Sequence, residues 1–116
     1  MDENIDYAAD APTREEIDAI AEPLIIEFGA PWCSFCRGAQ AVIAAGLASG
    51  APRHLRIEDG KGKPLGRSFA VKLWPTLVFL RQGREIARVV RPTDTRQLEE
   101  ALAALLAQPA RQSLRR

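Results

Sequence analysis

Two cysteines separated by two residues are the feature of this sequence most suited to chemistry. Cys33 and Cys36 enclose Ser34 and Phe35, follow Trp32 directly, and are the only cysteines of the chain. A thiol exchanges disulfides only as the thiolate, so a redox site must lower the pKa of one cysteine and leave its sulfur accessible. Cysteines three positions apart in a helical turn can close a small disulfide ring. The motif therefore predicts an attacking thiol at Cys33 and a resolving thiol at Cys36.

The elements on either side of the motif indicate how Cys33 would be activated. Residues 24–28 form a short, almost wholly apolar run that ends at Gly29, which is typical of a buried parallel strand. Residues 34–48 are rich in alanine and carry apolar side chains at helical spacing, which predicts a helix. Cys33 then lies at the helix N-terminus, where unpaired N–H groups and the helix dipole stabilise an anion.

The remaining patterns predict one layered α/β domain. The expected elements are a helix at 14–21, a strand at 24–28, a helix at 34–48, a strand at 54–57, a helix at 65–69, two strands at 76–80 and 85–90, and a final helix after Asp94. This order indicates three layers, with helices on both faces of a mixed sheet of four strands, or five if the N-terminus adds one near residues 5–7. A right-handed crossover after residue 28 would place the cysteines at the carboxyl end of a central strand.

The limits of the domain follow from composition and capping. Residues 1–12 are acidic and poorly patterned, and we expect a flexible arm. Residues 13–107 are expected to form the domain, beginning at a capping box of Thr13 and Glu16. Residues 108–116 are expected to form a solvated basic tail. The final helix should bury a leucine stripe, made of Leu98, Leu102, Leu105 and Leu106.

Composition excludes several classes of function. The 116 residues suffice for one core, and the net charge of +1 gives no overall electrostatic case for binding nucleic acid. No apolar run approaches the roughly 20 residues that span a bilayer, so we expect no membrane association. The acidic start lacks the basic and apolar regions of a secretory signal, which predicts a cytoplasmic protein. We find no nucleotide, flavin or haem motif and predict no cofactor; we also expect a monomer.

Two segments carry a resemblance to a known family. Residues 24–37, LIIEFGAPWCSFCR, resemble the active-site segment of thioredoxins. Residues 69–79, FAVKLWPTLVF, resemble the thioredoxin segment that holds a cis-proline and the strand after it. The resemblance covers roughly residues 13–107. It implies a thioredoxin fold and a thiol–disulfide oxidoreductase that acts on disulfides of substrate proteins, more specifically a reductase that a separate thiol system keeps reduced.

The same resemblance implies a role for each matching residue. Cys33 would be the nucleophile and Cys36 the resolving thiol. Glu27 would pass protons to and from Cys36, with a pKa that burial raises. Pro75 would be the cis-proline facing the cysteines, and Trp74 would offer its backbone groups to an extended substrate. The other expected substrate contacts are Trp32, Phe35 and Thr76.

This chain also departs from the family pattern. Glu27 stands where an aspartate is usual, Gly29 where a tryptophan is often found, and Arg91 where a glycine often opens the groove. Trp74 replaces a smaller aliphatic residue. We hypothesise that Trp74 partly fills the space left at Gly29 and caps the substrate groove. Together with Ser34 and Phe35 between the cysteines, these changes predict a narrower range of partners.

Two other functions are compatible with the motif. The fold could serve as a binding or chaperone module, with vestigial or regulatory cysteines and an exposed patch of Trp32, Phe35 and Trp74. The two thiols could instead bind a metal ion. Zinc prefers four ligands, and His54 is the only further good candidate, so one chain is a ligand short. We expect His54 to be a surface residue and predict no metal site.

Overall fold

The fold is a single mixed sheet covered by helices. The computed structural model describes residues 6–48 and 50–107. Its helices and strands, in chain order, are α1 (Arg14–Asp18), β1 (Leu24–Gly29), α2 (Ser34–Gly46), β2 (Arg53–Glu58), α3 (Pro64–Ser68), β3 (Thr76–Arg81), β4 (Arg84–Val90) and α4 (Thr95–Leu106). The strands lie in the order β2-β1-β3-β4, with β2 parallel to β1 and the other pairs antiparallel. The predicted α/β class with four strands is confirmed.

The core divides into two layers because successive strand residues point to opposite faces of the sheet. On one face, Ile25 of β1 and Phe79 of β3 pack against apolar residues of α2 and α4. On the other face, Ile26 and Val78 pack with Ile17 of α1 and with residues around α3. Helices therefore cover both faces of the sheet, as the order of elements predicted.

Local signals set the ends of several elements. Thr13 accepts a hydrogen bond from the Glu16 N–H and closes the predicted capping box, although α1 ends at Asp18, three residues before the predicted end. Asp94 caps α4 in the same way. Gln82 and Gly83, between β3 and β4, have φ values of 53° and 77°. Two successive residues with positive φ are typical of the tight hairpin turn that the sequence predicted there.

The described part of the N-terminal arm packs against the domain, which corrects the expectation of a flexible segment. Tyr7 is 6% exposed. Ala8 forms an isolated parallel bridge with Ile57, through hydrogen bonds to Arg56 O and from the Glu58 N–H of 2.9 Å each. β2 is an edge strand with free backbone groups that an adjacent segment can pair with. The possible fifth strand is thus reduced to one bridge, and the predicted tail at 108–116 lies outside the described residues.

Strand pairing brings three loops to one end of the sheet. Phe28 near the end of β1 pairs with Thr76 at the start of β3, which pairs with Val90 at the end of β4. The loop that carries the cysteines, the loop before β3 and the residues after β4 therefore meet. The Trp74–Pro75 peptide bond in the second of these loops is cis.

The end of α4 corrects one residue of the predicted leucine stripe and supplies a matched test. Leu105 is completely buried, whereas the adjacent Leu106 is 49% exposed. We expect Leu105→Ala to lower the free energy of unfolding by about 3 kcal/mol, because it leaves a cavity in the core. Leu106→Ala should lower it by less than about 1 kcal/mol. Urea unfolding of both variants measures the difference, and equal losses would contradict this assignment of the buried face.

Candidate active site

The two cysteines lie at the junction of the loop after β1 and helix α2. Cys33 is the N-cap residue of α2, and its sulfur accepts a hydrogen bond from the Cys36 N–H, with Sγ and N 3.3 Å apart. Both cysteines are free thiols. Cys33 is 6% exposed and Cys36 is fully buried. The two cysteines are therefore unequal, because Cys33 retains a small exposed fraction and Cys36 has none.

Cys33 lines a groove of about 530 Å³ formed by the three loops. The residues of the groove are Trp32, Cys33, Ser34, Phe35, Lys72, Leu73, Trp74 and Arg91. Trp32 and Phe35 are 68% and 56% exposed. Three predicted substrate contacts, Trp32, Phe35 and Trp74, are thus brought together beside the accessible thiol.

Trp74 is held in a fixed position at the edge of the groove. Its indole Nε1 donates a hydrogen bond of 2.9 Å to Asp59 Oδ2. Its ring packs edge-to-face against Trp32, with the centroids 5.4 Å apart. Trp74 also packs against the small cluster that contains both cysteines. An edge-to-face aromatic pair of this kind fixes the geometry of both rings.

The Thr76 side chain and the Pro75 backbone make hydrogen bonds that hold the loop before β3. Thr76 is 1% exposed, and its hydroxyl donates a hydrogen bond of 2.6 Å to Leu73 O. The side chain is therefore occupied in holding the loop and does not line the groove, contrary to the predicted substrate contact. Pro75 is also buried, and its carbonyl oxygen accepts a hydrogen bond from the Arg91 N–H at 2.9 Å.

The atoms nearest to the position of a side chain at Gly29 belong to Cys36 and Tyr7, and the sequence did not predict Tyr7 there. A Cβ atom at Gly29 would lie 2.7 Å from Cys36 Sγ and 2.7 Å from the Tyr7 hydroxyl oxygen. Glycine at this position therefore lets the N-terminal arm approach the buried thiol. Trp74 packs against the same cluster.

Glu27 is the centre of a hydrogen-bond network beneath Cys36. The carboxylate is fully buried, and it accepts a short hydrogen bond from the Tyr7 hydroxyl. Gln40 Nε2 donates to it at 3.0 Å, and His54 Nε2 lies 2.9 Å from its Oε1. Arg56 Nε donates at 3.3 Å. A buried charge requires such partners, and here both carboxylate oxygens have them.

These contacts shift the pKa of Glu27 in the direction opposite to the prediction. Burial alone raises the pKa of the carboxyl group. The hydrogen bonds from His54, Tyr7 and Gln40 and the charge of Arg56 outweigh burial and lower it to about 2. The apolar run around Glu27 predicts burial but does not predict these partners. Because its pKa is low, Glu27 is ionised at neutral pH.

The neighbouring groups respond to burial differently. Burial, followed by the hydrogen bond and charge of Cys33, raises the pKa of the Cys36 thiol to about 12. Burial and the Glu27 carboxylate raise the pKa of Tyr7 above the usual value for a phenol. Tyr7 packs with Cys36 in the same buried cluster. Tyr7 thus connects the buried thiol to the buried carboxylate, and both Tyr7 and Cys36 remain protonated at neutral pH.

Tyr7, Gln40, His54 and Arg56 are residues of the site that the sequence analysis missed. The positions of two of these residues, Arg56 and Gln40, could have indicated their place in the site. Arg56 lies opposite Glu27 in the register between β1 and β2, and Gln40 is four residues after Cys36 in α2. His54 reaches Glu27 while its side chain stays 23% exposed, so it is not simply a surface residue. Nothing in the local sequence indicated that Tyr7 would reach this site.

The described residues offer no other obvious chemistry. No group of three or more His, Cys, Asp or Glu is placed to hold a metal ion in the part of the chain that the structure describes. Within the same part, no helix has the length and apolar character to cross a bilayer. A dithiol with one cysteine at a helix N-terminus and in a groove is suited to thiol–disulfide exchange.

Comparison with known proteins identifies the family. The thioredoxin family model matches residues 5–104. The chain is 51% identical to thioredoxin 2 from Pseudomonas aeruginosa PAO1, whose structure was determined in the reduced form; the alignment covers 89% of this chain and 96% of that one, with a TM-score of 0.78. The chain belongs to the thioredoxin family, and the predicted thioredoxin fold is confirmed.

More distant relatives agree. The germline-specific thioredoxin Deadhead from Drosophila melanogaster is 28% identical, with a TM-score of 0.59 over 79% of this chain and 89% of that one. Thioredoxin H-type 1 from Nicotiana tabacum is 33% identical over 69 residues, which are 58% of this chain. That match spans about half of the tobacco protein, 54% of its length.

The low pKa of Glu27 predicts a loss of stability in acid. A carboxyl group whose pKa is lower in the folded than in the unfolded chain stabilises the fold above its unfolded pKa and ceases to do so as the pH falls. Between about pH 5 and pH 2, we expect the free energy of unfolding to fall by about 3 kcal/mol more in the wild type than in Glu27→Gln. Urea unfolding across this range measures it, and parallel curves would contradict it.

Proposed function

We propose that this protein reduces disulfides of substrate proteins, with Cys33 as the nucleophile and Cys36 as the resolving thiol. The observation that carries the proposal is the inequality of the two thiols. Cys33 caps α2 and lines the groove, whereas Cys36 is buried beneath it. Only an accessible sulfur can attack a disulfide in another protein, and a buried neighbour can attack only the mixed disulfide that results.

The reaction consists of two exchange steps. The Cys33 thiolate attacks one sulfur of the substrate disulfide, so that one thiolate of the substrate leaves and a mixed disulfide forms. The Cys36 sulfur then attacks Cys33 Sγ, which releases the second substrate thiolate and forms the Cys33–Cys36 disulfide. Two electrons pass from the dithiol to the substrate, whose thiolates take protons from water.

The second step requires a base, because the Cys36 thiol has a raised pKa. Part of this increase comes from the hydrogen bond and charge of Cys33. Those contributions disappear when Cys33 is in a mixed disulfide, since that sulfur is then neutral. Tyr7 packs with Cys36 in one cluster, and its hydroxyl hydrogen-bonds to Glu27. We therefore place Tyr7 as the immediate acceptor of the Cys36 proton, with its own proton passing to Glu27.

Glu27 acts in this scheme as a transient carrier. A carboxylate with a pKa of about 2 binds a proton only briefly at neutral pH, so the proton must move on. His54 bonds to Glu27 and also lines a surface pocket next to Arg56. The proton is released to solvent at the surface pocket that His54 lines, away from the groove.

The partners follow from the same chemistry. Each cycle leaves an oxidised dithiol, so a separate thiol reductant must restore it. A reducing compartment such as the cytoplasm fits a chain whose only cysteines are the reactive pair. We propose that the protein works there as a monomer, because the groove, both thiols and the Glu27 network belong to one chain.

Trapping of a mixed disulfide tests the roles of the two cysteines. Cys36→Ser keeps the attacking thiol but removes the resolving one, so it should accumulate a covalent adduct with insulin, visible by mass spectrometry. Cys33→Ser should form no such adduct and should lose insulin reduction. Equal insulin reduction by Cys33→Ser and the wild type would contradict the proposal. Insulin binding without adduct or reduction would favour the alternative of a binding or chaperone module.

The proton route predicts a step-specific effect of Tyr7→Phe. Phenylalanine keeps the ring that fills the space at Gly29 but lacks the hydroxyl between Cys36 and Glu27. We expect resolution of the mixed disulfide to slow by at least about tenfold at neutral pH, and its formation to stay within about twofold. Rapid-quench analysis with a peptide disulfide separates the two steps.

The pH dependence provides the control for that variant. Without the hydroxyl, Cys36 must lose its proton to hydroxide, so resolution by Tyr7→Phe should recover as the pH rises. A purely structural defect would slow both steps and would not recover. An unchanged rate of resolution in Tyr7→Phe would overturn the role of Tyr7.

A further inference from the structure

Arg91 occupies a position that joins the cis-prolyl loop to the cysteine motif. Its Nε donates a hydrogen bond of 2.8 Å to Trp74 O, and its guanidinium lies 3.7 Å from the centroid of the Phe35 ring. Its backbone has φ of 48°, in the left-handed region that favours glycine. The chain thus places an arginine side chain between the two walls of the groove in spite of an unfavourable backbone conformation.

The terminal guanidinium N–H groups of Arg91 have no hydrogen-bond partner within the described residues. Its backbone N–H donates to Pro75 O, Nε is the only side-chain atom that donates a hydrogen bond there, and no carboxylate there forms an ion pair with it. Arginine presents a planar set of donors that matches a carboxylate in two places at once. The guanidinium is held at its Nε side and stacked on an aromatic ring, so its terminal donors are preorganised at the groove.

The charge of the groove has one sign. Apart from the Cys33 thiol, its ionisable side chains are Lys72 and Arg91, and no acidic residue lines it. Lys72 also has no ion-pair partner among the described residues. The chain as a whole is nearly neutral, with a net charge of +1, so this is a local feature. Complementary charge at such a surface favours one class of partner over another.

We propose that Arg91 makes the groove selective for disulfides flanked by aspartate or glutamate, whose carboxylate pairs with the guanidinium. This inference rests on the proposed reductase function and specifies its substrates. The hydrogen bond to Trp74 O also occupies one of the two lone pairs of a carbonyl that an extended substrate would otherwise use for pairing. Arg91 therefore weakens backbone recognition, which accepts many sequences, and adds recognition of an acidic side chain.

Three cyclic peptides test this proposal. Each contains one disulfide, and the residues on both sides of each half-cystine are Glu, Gln or Lys in otherwise identical sequences. We expect the wild type to reduce the Glu peptide with kcat/KM about fivefold above the Gln peptide, and the Lys peptide more slowly than either. The ratio between peptides is measured within one protein preparation, so the folded fraction does not affect it. Added salt should reduce the ratio.

Substitutions assign the preference to Arg91. Arg91→Gln removes the charge, and Arg91→Gly removes the side chain at a φ that glycine adopts easily, so both should bring the ratio of Glu to Gln below about twofold. Arg37→Gln is the matched control, because Arg37 is an exposed arginine near the motif that does not line the groove. It should keep the wild-type ratio.

Each outcome bears on a different claim. Equal reduction of the Glu and Gln peptides by the wild type would overturn the proposed selectivity while leaving the reductase function intact. A preference that survives both Arg91 variants would also overturn it, because another charge would then be responsible. Reduction of none of the peptides by the wild type would remove the proposed function, and the selectivity with it.

Discussion

One buried carboxylate organises the structure around the buried thiol of Cys36. Glu27 lies on the central strand with no accessible surface, and an ion in such a place is tolerated only when its oxygens are fully hydrogen-bonded. Its partners come from three separate parts of the chain: Tyr7 from the N-terminal arm, Gln40 from α2, and His54 and Arg56 from β2. Satisfying one charge therefore fixes the arm, the helix and the edge strand relative to Cys36.

Glycine at the end of β1 is the condition that makes this arrangement possible. A side chain at Gly29 would collide with both Cys36 Sγ and the Tyr7 ring. Without a side chain there, the arm crosses the edge of the sheet, where Ala8 pairs with Ile57, and brings a phenol to the buried thiol. The departure of Gly29 from the family pattern and the burial of Tyr7 are thus two aspects of one feature.

Local sequence patterns predicted the helices, strands and cysteine motif of this site but not the contacts of Glu27. The apolar strand, the capped helices and the cysteine motif each depend on neighbours within a few residues, and the structure agrees with them. Tyr7 and His54 join Glu27 across separations of 20 and 27 residues, which periodicity does not report. The direction of the Glu27 pKa was wrong for the same reason, since burial could be inferred but its compensating partners could not. Tyr7, which lies against Gly29, comes from a segment that the sequence predicted to be a flexible arm.

The two cysteines lie between the groove and the buried network around Glu27. Residues of these two regions can vary independently. Arg91 and the aromatic residues line the groove together with Cys33, and in the proposed reaction they select which disulfides are attacked. Tyr7 and Glu27 do not line the groove, and in the proposed reaction they act on the resolution of the mixed disulfide. Because each exchange step uses a different cysteine, selectivity can change at Arg91 without altering the proton route. The buried network can likewise adjust the second step without changing the substrates that bind.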